Sequence, residues 1–202
     1  MRQTGRMPNY SNDFLKAVDF ALREEVGPYE STGGYISPAR AAQIKDPGGE
    51  TKWGISKLSY PDLDIAALTR EQAIEIYYRD YWLTPGNQRA RCDALPFPLN
   101  FAHFDCAVNV GNRNVAPDGT PVWHGRANAL LQTAAGVKDD GYIGPVTLAA
   151  IAEFSPRDLA IKTILEREHY YKTRGAWADG FKAGWLKRAK RLLAAIALPE
   201  AG

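Results

Sequence analysis

Helix punctuation is the feature of this sequence that most restricts its fold. Apolar residues recur at helical spacing in one segment after another, and residues with a physical reason to start or stop a helix mark the ends. Ser11 or Asn12 can cap a helix from about Asp13 to Glu25, with Phe14, Val18, Ala21 and Leu22 on one face. The Gly27-Pro28 pair stops it after Val26. Thr69 and Gln72 have capping-box spacing for a helix running to about Trp82. Pro98 opens a helix from Leu99 to Val110, and Gly111 ends it. Further helices are predicted from about Val122 to Ala135, from Pro145 within the turn "DGYIGPVT" (Asp140 to Thr147), from Ser155-Pro156 to about Thr173, and from about Gly184 to Ala197. Residues 29–58 break the pattern. They are rich in Gly, Ser, Pro and Thr and read as a loop with a small β-hairpin around Asp46 to Ile55. The expected fold is mainly α with one small β-hairpin, in two lobes around a cleft.

Composition narrows the function. The chain has 202 residues, 45% hydrophobic and 24% charged, which suits one buried domain or two small lobes. A net charge of +2 is too mild to argue for nucleic acid, though it is compatible with an anionic polymer. The longest apolar runs, such as Leu192 to Leu198, cannot span a bilayer, so no stable membrane insertion is expected. Met1 to Asn12 is polar and lacks the apolar stretch of a secretory signal, so synthesis in the cytoplasm without a signal peptide is expected. Cys92 and Cys106 have no CxxC spacing and read as free, buried thiols. His103, His124 and His169 show no metal-ligand spacing, so neither a metal nor a cofactor is expected. Nothing suggests more than a monomer.

The acidic residues carry the candidate chemistry. At about 100° per residue, Glu25 falls roughly 20° from Phe14, inside the apolar stripe of the first helix. Glu24 lies about 80° to the other side and should be solvated. Burial and the negative end of the helix dipole both favour a protonated Glu25, which suits a general acid. The alternative is a glutamate that swings into solvent as the helix frays. In the stretch "KDPGGETKWGIS" (Lys45 to Ser56), Pro47, Gly48 and Gly49 allow a tight turn. That turn could aim Asp46 and the Thr51 hydroxyl at one point, a carboxylate to take a proton from water and a hydroxyl to hold that water. It could equally be an Asx-type turn in which Asp46 bonds its own backbone. Together, a buried acid at a helix end and a polar hairpin with a second carboxylate follow the logic of a glycosidase.

The segments "DPGGETKWGIS", "YPDLDIAALTREQAIEIYYRDYW", "FDCAVNVG" and "LQTAAGVKDDGYIGPVTLAAI", in this order, resemble the glycoside hydrolase family 108 N-acetylmuramidases, many of them phage endolysins. The last segment resembles the peptidoglycan-binding region that follows the catalytic part in that family. The resemblance covers about Phe14 to Trp185. It implies a lysozyme-like fold, with residues 11–98 as the catalytic lobe and 99–198 as a helical, peptidoglycan-binding-like lobe, in one compact unit. It also implies peptidoglycan glycan strands as partner, and action in the periplasm after release.

The family's catalytic glutamate ends the first helix in an E-G-G-Y motif. The matching position here is Glu25, within Glu25-Val26-Gly27-Pro28-Tyr29, and the hairpin residues of related phage lysozymes correspond to Asp46 and Thr51. An insertion separates Glu25 from Asp46 by more than the family's usual spacing. It contains a second G-G-Y at Gly33-Gly34-Tyr35, so Glu30 is the competing match. Helix phase favours Glu25.

Trp53 and Tyr35 are expected to stack on sugar rings, Tyr29 stays open, and Asp105 and Asn109, at i and i+4, either line the cleft or hold the hairpin. Trp82 and Trp185 read as core. The run Lys187, Arg188, Lys190 and Arg191 is either a membrane-disturbing cationic face or, as favoured here, the solvated side of a docked last helix. The resemblance implies a muramidase. A lytic transglycosylase and a non-catalytic peptidoglycan-binding structural module are the alternatives.

Overall fold

The computed structural model describes residues 9–46, 48–83, 90–111, 114–115, 121–122, 125–175 and 179–197, the side chains of Glu30 and of 114–115 and 121–122 excepted. Helix α1 (Asn12–Val26) starts where Ser11 accepts a hydrogen bond from the Phe14 amide. Its buried face is Phe14, Ala17, Val18, Ala21, Leu22 and Val26. Helix α4 (Leu99–Val110) is buried from Leu99 through Ala107, as expected of a helix at the centre of a fold. It packs on α1, on α5 (Arg126–Ala134) and on α7 (Pro156–Thr173), and α7 in turn packs on α8 (Asp179–Ala197). The Phe14 ring packs edge-on or tilted against Tyr10, Tyr78, Trp82 and Phe104, which joins α1 to α4 and to the π-helical turn Tyr78–Trp82. That turn continues α3 (Arg70–Tyr77), which opens with the complete Thr69–Gln72 capping box. Helix α6 (Pro145–Ala152) follows the Asp140 to Gly144 loop.

Two short antiparallel hairpins complete the fold. Strands β1 (Thr51–Lys52) and β2 (Ile55–Ser56) pair Thr51 with Ser56 and Lys52 with Ile55. Strands β3 (Asn114–Val115) and β4 (Pro121–Val122) form the second pair. The architecture is mainly α and lysozyme-like, as read from the sequence, with a second small hairpin where only one is expected.

Four local readings change. The 29–58 stretch holds a helix, α2 (Pro38–Ile44), capped by Ser37 with Pro38 at its first position. The helix expected from Val122 begins at Arg126, because Pro121 and Val122 belong to β4. Helix α8 begins at Asp179 rather than at Gly184. Trp185 is only half-buried, and its ring lies between Tyr171 and the exposed, stacked Phe181.

Among the described residues, no helix is long and apolar enough to cross a membrane, and no three His, Cys, Asp or Glu side chains could hold a metal ion. Cys92 and Cys106 are buried and unbridged.

Candidate active site

Glu25 sits one residue before the end of α1, with its side chain 25% exposed. Its Oε1 accepts a hydrogen bond of 2.5 Å from Arg188 Nη1, donated across from α8. The same guanidinium donates from Nε (2.9 Å) and Nη2 (2.6 Å) to Asp105 Oδ1 on α4. The other Asp105 oxygen accepts from Arg167 Nη1 of α7 at 2.6 Å. Arg167 Nε donates to the Tyr171 hydroxyl, which donates to Asn109 Oδ1. Four helices therefore converge on one charge cluster, and Glu25 is its exposed end.

Asp105 and Arg167 have no solvent exposure, and Arg188 has 5%. Burial pushes the Asp105 carboxyl up, but the Arg188 and Arg167 guanidinium groups outweigh it and hold the group below its ordinary value. Burial likewise opposes charge on both arginines, and the Asp105 carboxylate more than offsets it.

The hairpin meets Glu25 at its turn. Trp53 and Gly54, the two central residues, both have positive φ (56° and 75°), as in the tight turns that match strand twist. Glycine is required at 54, since an added Cβ would lie 2.9 Å from Glu25 Cγ and closer still to the Tyr77 hydroxyl. Tyr77 donates to the Trp53 carbonyl at 3.0 Å, and its burial, with the Glu25 charge adding to it, keeps the phenol protonated. A bulky residue at positive φ is strained, and Trp53 is held there on several sides. Its amide donates to the Gly33 carbonyl (2.7 Å), its indole Nε1 to the Leu68 carbonyl (3.3 Å), and its ring lies against Gly33.

This corrects the sugar-stacking expectation for Trp53. At 8% exposure the indole is a wedge that fixes the hairpin turn against Gly33 and Leu68. Tyr35 is exposed, and its hydroxyl donates to Glu50 Oε1 at 2.7 Å. Asp46 and Thr51 flank Gly48 at the base of the hairpin. A Cβ there would lie 3.2 Å from Asp46 Oδ1 and 3.7 Å from Thr51 Oγ1. Asp46 Oδ1 accepts the Gly48 amide at 2.8 Å, an Asx turn, and Thr51 Oγ1 donates to the Gly49 carbonyl at 3.1 Å.

The insertion also has a simple geometry. After α1 the chain makes a 3-10 excursion (Gly27–Thr32) and returns beside its own starting point. A Cβ on Gly34 would lie 3.2 Å from Val26 Cα, so Gly33-Gly34-Tyr35 rejoins Glu25-Val26 in space. The competing Glu30 side chain lies outside the described residues.

Four readings of the charged residues change. Glu25 is not buried in the apolar stripe of α1, since its side chain is more exposed than that of Glu24. Asp105 does not line a cleft; it is fully buried and reaches Glu25 through Arg188. Glu24 is not solvated, because Arg191 of α8 covers it and leaves its side chain 10% exposed. The last helix is docked with Lys187 and Lys190 exposed, as favoured, but Arg188 is buried on Glu25 and Asp105, and the partly exposed Arg191 reaches Glu24. Sequence reasoning missed Arg188. It shares a helix stripe with the buried Leu192 and Ile196, at i, i+4 and i+8, the same phase argument that selects Glu25.

Residues 31–111 match the glycosyl hydrolase 108 family, and residues 126–190 match a family described as a predicted peptidoglycan domain. Residues 31–111 thus carry a glycosyl hydrolase 108 segment, followed by the predicted peptidoglycan domain. The chain is a peptidoglycan-active glycoside hydrolase. The first match begins beyond α1, so Glu25 lies outside it and its part rests on the geometry above. Among solved structures, Brucella abortus SagA is similar, with a TM-score of 0.67 and 28% identity over 94% of this chain and 98% of that one. No curated protein matches the chain.

Proposed function

We propose that this chain cleaves the β-1,4 bond between N-acetylmuramic acid and N-acetylglucosamine, with Glu25 as proton donor. The observation that carries the reading is the setting of Glu25: partly exposed at a helix end, packed on the hairpin turn, and backed by Arg188. In the reaction the Glu25 proton passes to the glycosidic oxygen as the C1–O bond breaks. Water adds at C1 from the opposite face and gives a proton to Asp46, with Thr51 holding that water, so the anomeric centre inverts. Arg188 stands where negative charge forms on Glu25 as the proton leaves, so it stabilises that charge at the moment it develops. The return of Gly33-Gly34-Tyr35 to Val26 supports Glu25 as the glutamate of the family's E-G-G-Y motif.

Glu25→Gln keeps the shape and removes the transferable proton. It should abolish release of soluble fragments from purified cell walls with the thermal midpoint within a few degrees of wild type. A glutamine variant that still digests walls near the wild-type rate sinks the assignment.

One observation favours a second reading. The Asp46 carboxylate is engaged by the Gly48 amide, which suits a single-acid lytic transglycosylase that closes a 1,6-anhydro ring without water. Mass spectrometry of the digested wall separates the two, because only hydrolysis adds the mass of water to the product. We further propose that the chain acts as a monomer on the periplasmic face of the envelope, in lysis of the endolysin kind. Added to intact and to permeabilised cells, it should clear only the permeabilised suspension.

A further inference from the structure

Far along the chain from Glu25, the loop between α5 and α6 exposes two large apolar side chains on a rigid base. Tyr142 is 62% exposed and Val146 is 76% exposed. They border a surface hollow of about 310 Å³, shared with Val137, Lys138, Gly144 and Pro145. The backbone beneath them is pinned. The buried Gln132 carboxamide reaches Asp140 Oδ1 (2.8 Å), the Tyr142 carbonyl (3.0 Å) and Thr147 Oγ1 (3.1 Å), and it accepts the Gly141 amide at 2.7 Å. Asp140 also accepts the Tyr142 amide at 2.9 Å. On the far side, Asn128 holds the Gly141 carbonyl and Arg91 holds the Ile143 carbonyl.

The ring of Tyr142 lies directly on Gly144, where a Cβ would come within 2.6 Å of Tyr142 Cε1. The ring is therefore seated by its Cδ1–Cε1 edge, and most of its surface is left exposed. A chain that needed only a turn here would gain nothing from two apolar side chains held in water.

We infer that this hollow is a second carbohydrate-binding site, in which an N-acetylated sugar of a glycan strand stacks on Tyr142 and packs against Val146. Three observations select that occupant. The presented surface is a flat aromatic face beside an aliphatic one, which suits the apolar face of a pyranose. The charges around it, Lys138 against Asp139 and Asp140, do not favour an anionic stem peptide. The site also lies within residues 126–190, the segment matching the predicted peptidoglycan domain. It shares no residue with the Glu25 site. Its role is to hold the enzyme on the wall between cleavages, which goes beyond the proposed reaction.

The test uses the full chain carrying Glu25→Gln, which leaves the wall intact, in co-sedimentation with purified sacculi. Tyr142→Ala should weaken binding about tenfold, as expected for loss of one aromatic stacking partner. Tyr142→Phe should restore it, because the ring and not the hydroxyl makes the contact. An N-acetylglucosamine tetramer should compete, and a free stem tripeptide should not. With Glu25 intact, Tyr142→Ala should raise KM on sacculi and leave turnover of a soluble tetrasaccharide of alternating N-acetylglucosamine and N-acetylmuramic acid unchanged. Unchanged sedimentation of Tyr142→Ala, or competition by the tripeptide alone, overturns the inference. Because binding is read without catalysis, failure here is distinct from failure of the Glu25 assignment.

Discussion

Replacing Asp105 with Asn removes one negative charge from the centre of the fold with almost no change in volume. The cost follows from what is left behind. Among the described residues, Arg167, with no solvent exposure, loses the one carboxylate it pairs with, and its Nη2 already lacks a hydrogen-bond partner. Arg188 keeps Glu25 on Nη1, and the Asn carbonyl oxygen can still accept from its Nε and Nη2, but the amide group then faces Arg167 and both guanidinium groups lose the buried negative charge. Breaking a buried pair from one side typically costs about 3–5 kcal/mol, and two guanidinium groups facing each other belong at the upper end of that range. For a chain of this length, about 4–5 kcal/mol corresponds to roughly 10–15 °C in thermal midpoint. Calorimetry at neutral pH measures it.

Acid adds a second signature. The Asp105 value is lower in the folded chain than in the unfolded one, so its stabilisation is complete above the unfolded-state value near 3.9. It is lost as pH falls through the lower folded value, so the gap between wild type and variant should narrow below about pH 4. A companion variant separates stability from function. Asp105→Leu with Arg167→Met and Arg188→Met makes the cluster apolar, and it should recover most of the midpoint while wall digestion stays lost. An Asp105→Asn variant within about 1 kcal/mol of wild type refutes the reasoning, because Asp105 would then not be what neutralises the buried arginines.

Three other perturbations test neighbouring claims. His103 is fully buried, with Nε2 3.0 Å from Asn128 Oδ1, and burial lowers its pKa to about 4. The unfolded chain takes up that proton first, so about 3 kcal/mol of stability should drain away between pH 6.5 and 4, and His103→Gln should flatten that slope in urea titrations. Gly54→Ala puts a Cβ against Glu25 and Tyr77 at a φ of 75°; wall digestion should fall more than tenfold, with a stability loss of about 1–2 kcal/mol from the left-handed backbone, and a fully active variant contradicts the close approach. Burial holds the Cys92 thiol well above its ordinary range and pushes Cys106 up to about 12, so iodoacetamide at pH 8 should leave both unlabelled until the chain is denatured, as intact-mass measurement will show.

What the sequence discloses follows the reach of the interactions involved. Ser11, the Thr69–Gln72 box, the Pro98 and Gly111 pair, and Ser155-Pro156 mark helix ends by contacts within a few residues, and those ends are where they were read. Ser37-Pro38 is the same signal as Ser155-Pro156. It was hidden because α2 buries only Ala41 and so has no apolar stripe to recognise. The Asx turn at Asp46 is likewise local, and it was one of two readings. Trp53 could not be placed from the sequence, because its burial depends on Gly33 and Leu68, neither of them a near neighbour. Arg188 lies 163 residues from the glutamate it holds. Its position in the buried stripe of α8 was legible, but its partner was not.

That long-range pair also changes what the two matched segments mean for each other. Arg188 falls within the peptidoglycan-domain match, whereas Asp105 falls within the glycosyl hydrolase match and Glu25 just before it. With Glu25 ionised, two carboxylates face two guanidinium groups and the cluster is neutral. With Glu25 protonated, the cluster carries an excess positive charge directed at the exposed carboxyl. Proton transfer to a glycosidic oxygen takes the site from the second state to the first. The cation that pairs with Glu25 sits on α8, the last helix described. A chain ending before α8 would keep Glu25, the hairpin and Asp105, but it would leave Asp105 with Arg167 alone and Glu25 with no cation. The C-terminal segment thus carries the cation that pairs with the proposed acid, and the loop bearing Tyr142 is built on α5 and α6, with α5 packed on the α4 and α7 that hold Asp105 and Arg167.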